Sequence, residues 1–585
     1  MMAVTSLRLD RIRQAIRELQ TAKFSISRKY SRDKQFIFLG DAMRNQAVRM
    51  SKGNAIAYAS LGSILVLTLL LRLYGIDWGL PTSLHPYYSY HPDEAPLLIW
   101  SQWLSQGQLV TKQFIYGGTF YFLILRACMY FGDMFREFIG GFNALANGIL
   151  VARYLQVFLA LLTMLLVYEC GRLFYDRKTG LVAALVLALA PAHIVATQTV
   201  RPDAISTFLV SLIVLMAAKL LRAESSGFGK LLVYSGITIG AAAAFRLPLI
   251  GFGLLPAVAY VIALRRENSG TFWRSMLDWN ALWFAVAIVL TYVVLSPHTL
   301  MYPDAFIMGL KVTASYETSV FPDAVGRGPI FFQYGWRLLH EALGYPAYFL
   351  ALGGVIFALV RRGAGDMMVL AGVGMYFVML SSVTWTVVRY TLPMLPLLAL
   401  LGGVAAIQFL ERARHGYLRG IIHVILGLSL AWTLAADLAF LHVTASKNVR
   451  EQAADWIAQN IPQGKSTLVI KSYDEDDFFN PVIPTNYRNW AVLLTTGSDS
   501  HRLFEENKFD VVILHELFYA DMERLGSRHP RKEVREFFGA LTDARFKLVK
   551  QIKVPVKFLG IDFSESFEAI DYSVVNPGIR IYRSS

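Results

Sequence analysis

The chain has 585 residues, of which 55% are hydrophobic and 17% charged, with a mean hydropathy of +0.43 and a net charge of +14. An average soluble domain carries about 25% charged and about 45–50% apolar residues. Here the apolar excess falls in blocks of about 20 residues, the length that spans a bilayer's hydrocarbon core as a helix, which excludes a soluble enzyme, a disordered chain and a disulfide scaffold.

The stretch 1–54 holds twelve Lys or Arg against four Asp or Glu. A basic segment before a first span holds the N-terminus in the cytoplasm and favours anionic lipid headgroups. No nucleic-acid-binding module accompanies the charge, so nucleic acid is not an expected partner. The first apolar block begins near residue 55, too late for a cleaved signal peptide, and reads as an anchor.

Eleven spans are read, at roughly 55–74, 148–173, 181–199, 204–221, 231–245, 248–264, 281–297, 344–360, 367–384, 390–409 and 420–441. Thr119–Phe135 is apolar but interrupted by Arg126 and Asp133. If it does not cross, one set of connections between Arg172 and Arg419 collects fourteen basic residues. The opposite set then has six before the tail: Arg201, Arg246, Lys311, Arg327, Arg337 and Arg389. The positive-inside rule places the fourteen in the cytoplasm, and Thr119–Phe135 is expected as a helix lying in the outer interface. The fold class is therefore mainly α, a polytopic transmembrane helical bundle with a C-terminal extracytoplasmic α/β domain.

The chain then has three regions: a basic cytoplasmic arm 1–54, a membrane region 55–444 with outer loops 75–147 and 299–343, and an outer domain 445–585. The last is read from a helical Val449–Asn460 and strand-like runs at Ser466–Lys471, Asp510–His515, Phe546–Lys553 and Ile579–Tyr582. Cys128 and Cys170 lie in apolar context with no metal spacing and imply no disulfide. Gly236 and Gly240 form a small-xxx-small step suited to helix packing.

The strongest chemical candidate is His91-Pro92-Asp93-Glu94, about seventeen residues past the first span. Two adjacent carboxylates divide labour as general base and orienting group or metal ligand. The same letters also make a plain helix start, with Pro at the first position and acids opposing the dipole. Tyr87, Tyr88 and Tyr90 before it fit an interfacial aromatic belt. Arg201-Pro202-Asp203 repeats the pattern at the junction of spans three and four, on the same expected side. Arg246 and Arg389 recur at outer span ends, where a guanidinium suits a phosphate or simply snorkels. His298, in Ser-Pro-His, fits a helix-end polar residue or a binding group. No P-loop, dinucleotide fingerprint or His-Glu-x-x-His is present, and no run of acids inside the spans forms an ion relay. A flippase or transporter of lipid-linked sugar without transfer chemistry is the alternative reading.

A basic N-terminus, one span, and a large loop bearing His-Pro-Asp-Glu resemble the GT-C class of membrane glycosyltransferases. The closest likeness is to the protein O-mannosyltransferase-like group (family 39), which includes the lipid A aminoarabinose transferases. Arg201-Pro202-Asp203, Ala244-Phe245-Arg246, Ser296-Pro297-His298, Arg389-Tyr390-Thr391-Leu392-Pro393 and Ala453-Ala454-Asp455-Trp456-Ile457 extend it. The resemblance covers about 55–585. It implies inverting transfer of a sugar from a polyprenyl-phosphate donor to an acceptor protein, glycan or lipid. Such a protein sits in the plasma (inner) membrane and works on its non-cytoplasmic face.

Asp93 then matches the catalytic base, Glu94 its neighbour, and Asp203 the second acidic position, with Arg201, Arg246, Arg389 and His298 binding substrate. No cofactor is required; a divalent metal, where one is used, would be held by His91, Asp93, Glu94 and Asp203. One departure is that Ile115-Tyr116-Gly117-Gly118 stands where many members carry Lys-Pro, with Lys112 the nearest lysine.

Overall fold

The computed structural model describes residues 54–108, 118–267, 278–319, 324–471, 478–483, 488–493, 509–542 and 546–584. The basic arm and Lys112 lie outside the described residues. The chain divides into two compact units, 1–60 and 61–585. The second unit holds every described element except the start of the first apolar helix, Asn54–Leu73.

Among the described residues, seven helices are long and apolar enough to cross a bilayer. They are Asn54–Leu73, Ala144–Phe174, Asp203–Leu220, Ser225–Phe245, Leu247–Arg266, Val388–Arg412 and Gly416–Ala445. Arg177–Ala188 and Pro191–Thr197 form a pair bent by 62°. Trp279–Leu295, Tyr345–Arg361 and Ala364–Leu380 are shorter apolar helices. All eleven segments read from the sequence are thus helical. The bend has a local cause: Pro191 begins the second helix, has no N–H to continue the ladder, and crowds the preceding turn.

Side-chain caps fix several starts. Asn143 accepts from the Ala146 amide at 2.9 Å, Asp176 from Thr179 at 2.8 Å and Asp278 from Ala281 at 2.8 Å, each satisfying a donor that the helix leaves open. Gly236 and Gly240 lie against Trp279–Leu295. A Cβ at Gly236 would sit 2.6 Å from the Phe284 carbonyl oxygen, and one at Gly240 2.8 Å from Thr291 Cβ. Gly240→Leu is therefore expected to destabilise the bundle by roughly 1–3 kcal/mol or more through overpacking. Thermal unfolding in detergent measures this; an unchanged midpoint would detach the glycine step from helix packing.

Thr119–Phe135 is a helix, Gly118–Met134. It packs Tyr121, Phe122, Leu125, Cys128 and Met129 inward and leaves Leu123, Tyr130 and Phe131 exposed. It lies close along Ala144–Phe174, where Gly132 and Gly148 leave room for the neighbouring helix. Both cysteines are buried and free.

The tail carries a five-stranded sheet in the order β2-β1-β3-β7-β4. The strands are β1 Ser466–Lys471, β2 Arg488–Leu493, β3 Val511–His515, β4 Phe546–Ile552 and β7 Ile579–Ser584, with a separate hairpin of β5 Lys557–Phe558 and β6 Ile561–Asp562. β1 runs parallel to β2 and β3, while β7 is antiparallel to β3 and β4. Strand β3 is apolar at every position up to His515 because both faces are covered. Val511 and Ile513 meet Val449, Ala453 and Ile457 of the helix Val449–Asn460. Val512 and Leu514 meet Phe518, Phe537 and Leu541 on the other side.

The tail is fastened to the helical region. Ala569 N donates to Glu341 Oε2 at 2.7 Å and Tyr572 Oη to the Glu341 carbonyl at 2.8 Å. Phe440, Phe567 and Tyr572 form one aromatic cluster. The three tyrosines of the first loop do not form a common belt. Tyr87 is exposed, whereas Tyr90 is buried under the Arg450 guanidinium, 4.8 Å from its ring, and Tyr88 meets Phe478. Tertiary docking of the tail, invisible in the local pattern, covers Tyr90 and part of Tyr88.

Candidate functional site

The two Pro-Asp motifs do begin helices, although Pro92 and Pro202 lie before the first helical residue rather than at it. Glu94–Ser105 starts with Asp93 at its cap position, and Asp203–Leu220 starts with Pro202 there. Yet the Asp93 side chain makes no capping bond. It pairs instead with Arg201 Nη1, 108 residues away in the sequence. Arg201 Nε donates to Asp203 Oδ2 at 3.0 Å, and Arg246 Nη1 pairs with Asp203 Oδ1. The result is an alternating chain, Asp93–Arg201–Asp203–Arg246, gathered where the first loop, the bent pair and the helix Ser225–Phe245 end.

Exposure grades this chain. The side chain of Asp203 is 1% exposed, Arg201 9%, Asp93 17% and Arg246 22%. The outermost acid and guanidinium are thus its most exposed members, and the middle pair is buried. Burial and the nearby Arg389 lower the Arg201 pKa to about 10. Arg246 also lies 5.0 Å above the Tyr390 ring, a cation–π contact that fixes its plane.

Arg389 adjoins this chain but takes its acid from the tail. Its Nη1 donates to Asp571 Oδ1 at 2.7 Å, and the Val388 amide donates to Asp571 Oδ2 at 2.7 Å. Trp385 and Tyr390 flank its guanidinium at 4.8 and 5.6 Å. Its Nε is buried with no hydrogen-bond partner among the described residues. Glu317, near the end of the helix Pro303–Thr318, stands in the field of Arg246. Burial pushes its carboxyl above the ordinary range and Arg246 opposes the shift.

Glu94, the neighbour of Asp93, points the other way. It is wholly buried and accepts four bonds: Arg153 Nε at 2.9 Å, Arg153 Nη2 at 2.7 Å, Ser89 Oγ at 2.7 Å and Val200 N at 2.8 Å. Arg153 Nη1 donates to the Ile76 and Trp78 carbonyls at 2.6 and 2.8 Å. This cluster ties the start of the first loop to the segment just before Arg201. His91 is buried as well. Burial and the surrounding arginines, Arg201 foremost, drive its pKa well below the usual imidazole value. Its Nδ1 accepts from the Asp93 amide at 3.3 Å, as a neutral ring does.

His298 does not join the cluster; it opens the short helix His298–Met301 and stacks on Tyr302. Nor do the four expected metal ligands converge. Glu94 is taken by Arg153, Ser89 and Val200, and Asp203 by two arginines. Among the described residues no group of three or more His, Cys, Asp or Glu is arranged to hold a metal ion. The residues present do not fit that group. A cavity of about 550 Å³ lined by Tyr175, Asp176, Arg222, Arg361, Asp366 and Glu411 opens at the opposite ends of these helices and contains none of the expected site residues.

Sequence reading missed Arg153, Asp571 and Glu317. Arg153 was discoverable, since a lone arginine inside an apolar run needs a buried partner. Asp571 and Glu317 carry no local signal.

Residues 134–298 match the family model described as dolichyl-phosphate-mannose-protein mannosyltransferase. No curated protein matches. Among solved structures, ArnT from Cupriavidus metallidurans, bound to undecaprenyl phosphate, aligns at 14% identity over 90% of this chain and 98% of its own, with a TM-score of 0.47. The oligosaccharyltransferase AglB from Archaeoglobus fulgidus, in complex with an inhibitory peptide and a dolichol-phosphate, aligns at 12% identity over 80% of this chain and 70% of its own, with a TM-score of 0.45. The S. cerevisiae protein O-mannosyltransferase Pmt1-Pmt2 complex, bound to the sugar donor, aligns at 15% identity over 43% and 34%, with a TM-score of 0.34. The family-model match over residues 134–298 agrees with the motif-based likeness to the protein O-mannosyltransferase-like group of GT-C membrane glycosyltransferases.

Proposed function

We propose that this chain is a membrane glycosyltransferase that moves a sugar from a polyprenyl-phosphate donor to an acceptor hydroxyl, with inversion at the anomeric carbon. The observation that carries the reading is the alternating chain Asp93–Arg201–Asp203–Arg246, whose outermost acid and guanidinium are its most exposed members. The family match over 134–298 supports it. The site faces the non-cytoplasmic side of the plasma membrane in this reading, following the positive-inside distribution.

The chemistry divides between the ends. Asp93 takes the proton of the acceptor hydroxyl as its oxygen bonds to the anomeric carbon. The bond from that carbon to the donor phosphate oxygen breaks, and the electron pair leaves with the polyprenyl phosphate. Arg246 and Arg389 stabilise that negative charge in a site largely withdrawn from water. Positive charge builds on the sugar ring between them, as in glycoside hydrolysis. Asp203 is assigned to hold Arg201 and Arg246 in place; Glu94 is assigned to position Asp93 rather than to react. The phosphate is a sufficient leaving group, and no step runs through a metal. A donor whose tail contributes about 0.8 kcal/mol per buried CH₂ stays in the bilayer, so the site must be reached from its edge.

The test uses purified full-length protein in liposomes with a labelled polyprenyl-phosphate sugar, alongside mass spectrometry of glycans from wild-type and deletion strains. A new glycosidic bond that disappears on deletion is expected, and the same spectra name the sugar and the acceptor. Movement of the donor across the bilayer with no new bond would favour the carrier reading instead.

A further inference from the structure

The hairpin β5–β6 has an unusual tip. Its connection, Leu559-Gly560, has positive φ at both positions, +49° and +82°, the pattern that two-residue hairpins normally fill with Asn, Asp or Gly. A leucine there is strained and is not compensated by packing, because its side chain is 87% exposed. Ile561 beside it is 46% exposed. The chain thus presents an apolar tip to something outside itself.

Its position identifies the occupant. Phe563, one residue past β6, meets the Trp432 ring at 4.9 Å, and Trp432 belongs to the apolar helix Gly416–Ala445. A hydrocarbon core of about 30 Å needs about 20 helical residues, and every stretch of that length within this helix includes Trp432. Exposure changes at the same point. No residue from Gly416 to Trp432 is buried, and Leu428 and Trp432 are exposed, whereas burial begins at Thr433. The stripped part is the lipid-facing part, and the hairpin sits where it ends. Lys557 and Asp562, paired at 3.6 Å and about half exposed, keep the hairpin at the boundary, since a charge at mid-bilayer is costly and a lysine stem snorkels.

We propose that the hairpin Lys557–Asp562 is a lipid-contacting loop, with Leu559 and Ile561 entering the headgroup–acyl boundary of the leaflet on the tail's side, beside Trp432 at the tail-side end of that lipid-exposed stretch. It anchors the tail to the bilayer at a second place besides the helix that precedes it.

The experiment attaches a nitroxide to Leu559→Cys in the full chain, reconstituted in nanodiscs of phosphatidylethanolamine and phosphatidylglycerol. Both native cysteines are buried, so the unsubstituted protein serves as the labelling blank. Leu428→Cys is the lipid-exposed reference and Ser527→Cys the water-exposed one. The expected result is that the 559 label is relaxed by oxygen and shielded from an aqueous nickel chelate, as at 428. Nickel access equal to that at 527 would overturn the proposal. So would shielding from both reagents, which marks a protein partner such as a second copy. Ile561→Cys carries the same readout should the first variant fail to fold.

Discussion

Asp93→Asn is expected to lower sugar transfer by about 10²–10⁴-fold, the range lost with a general base, while the protein folds and binds donor as before. Asparagine keeps the shape of the side chain and an oxygen that accepts from Arg201, so the chain of pairs loses a charge but not its outline. The substitution removes the capacity to hold the acceptor's proton. In the proposed mechanism donor binding depends on the opposite end, where Arg246 is the more exposed guanidinium, so binding of a polyprenyl phosphate to the variant should match the parent. Turnover near that of the parent would remove Asp93 from the chemistry. Loss of turnover together with loss of donor binding would instead make it part of the arginine scaffold.

How much of this was legible in the sequence depends on the range over which each signal acts. Burying a backbone in lipid forces local hydrogen bonding and about 20 apolar residues per crossing, so the helices are written in contiguous letters; all eleven segments are helical, and among the described residues seven helices are long and apolar enough to cross. Four of the tail's strands were likewise readable, Val511–Leu514 because it is apolar over its whole length, whereas β2 Arg488–Leu493 and the two-residue strands β5 and β6 were not read. Side-chain partners are not contiguous. What the Asp93 side chain meets is undecided by Pro-Asp-Glu alone; its partner Arg201 lies 108 residues on. For Arg389 the local letters allow a phosphate contact or a snorkelling anchor, and its acid, Asp571, lies 182 residues later. The adjacency of Asp93 and Glu94 was misleading for a related reason. At a helix start, neighbouring residues point in different directions, and one carboxylate faces the site while the other faces the core.

That division yields the second large effect. Glu94 and Arg153 are both fully buried, and breaking such a pair by truncating one partner typically costs about 3–5 kcal/mol because the other charge is stranded. Glu94→Ala should therefore reduce the amount of folded protein and its melting temperature far more than Asp93→Asn does. Replacing both partners, Glu94→Leu with Arg153→Met, removes the stranded charge and should recover part of that loss. Recovery will be incomplete, because the Ile76 and Trp78 carbonyls and the Val200 amide lose the partners they have now, each at about 1–3 kcal/mol when buried unsatisfied. Activity should not return with stability, since the clamp is what sets the first loop against the segment leading to Arg201. Thermal unfolding and turnover per folded molecule, measured on the same preparations, separate the two roles. A Glu94→Gln variant with the parent's melting temperature and no turnover would make Glu94 a reacting group after all, and the positioning role argued from its four bonds would fall.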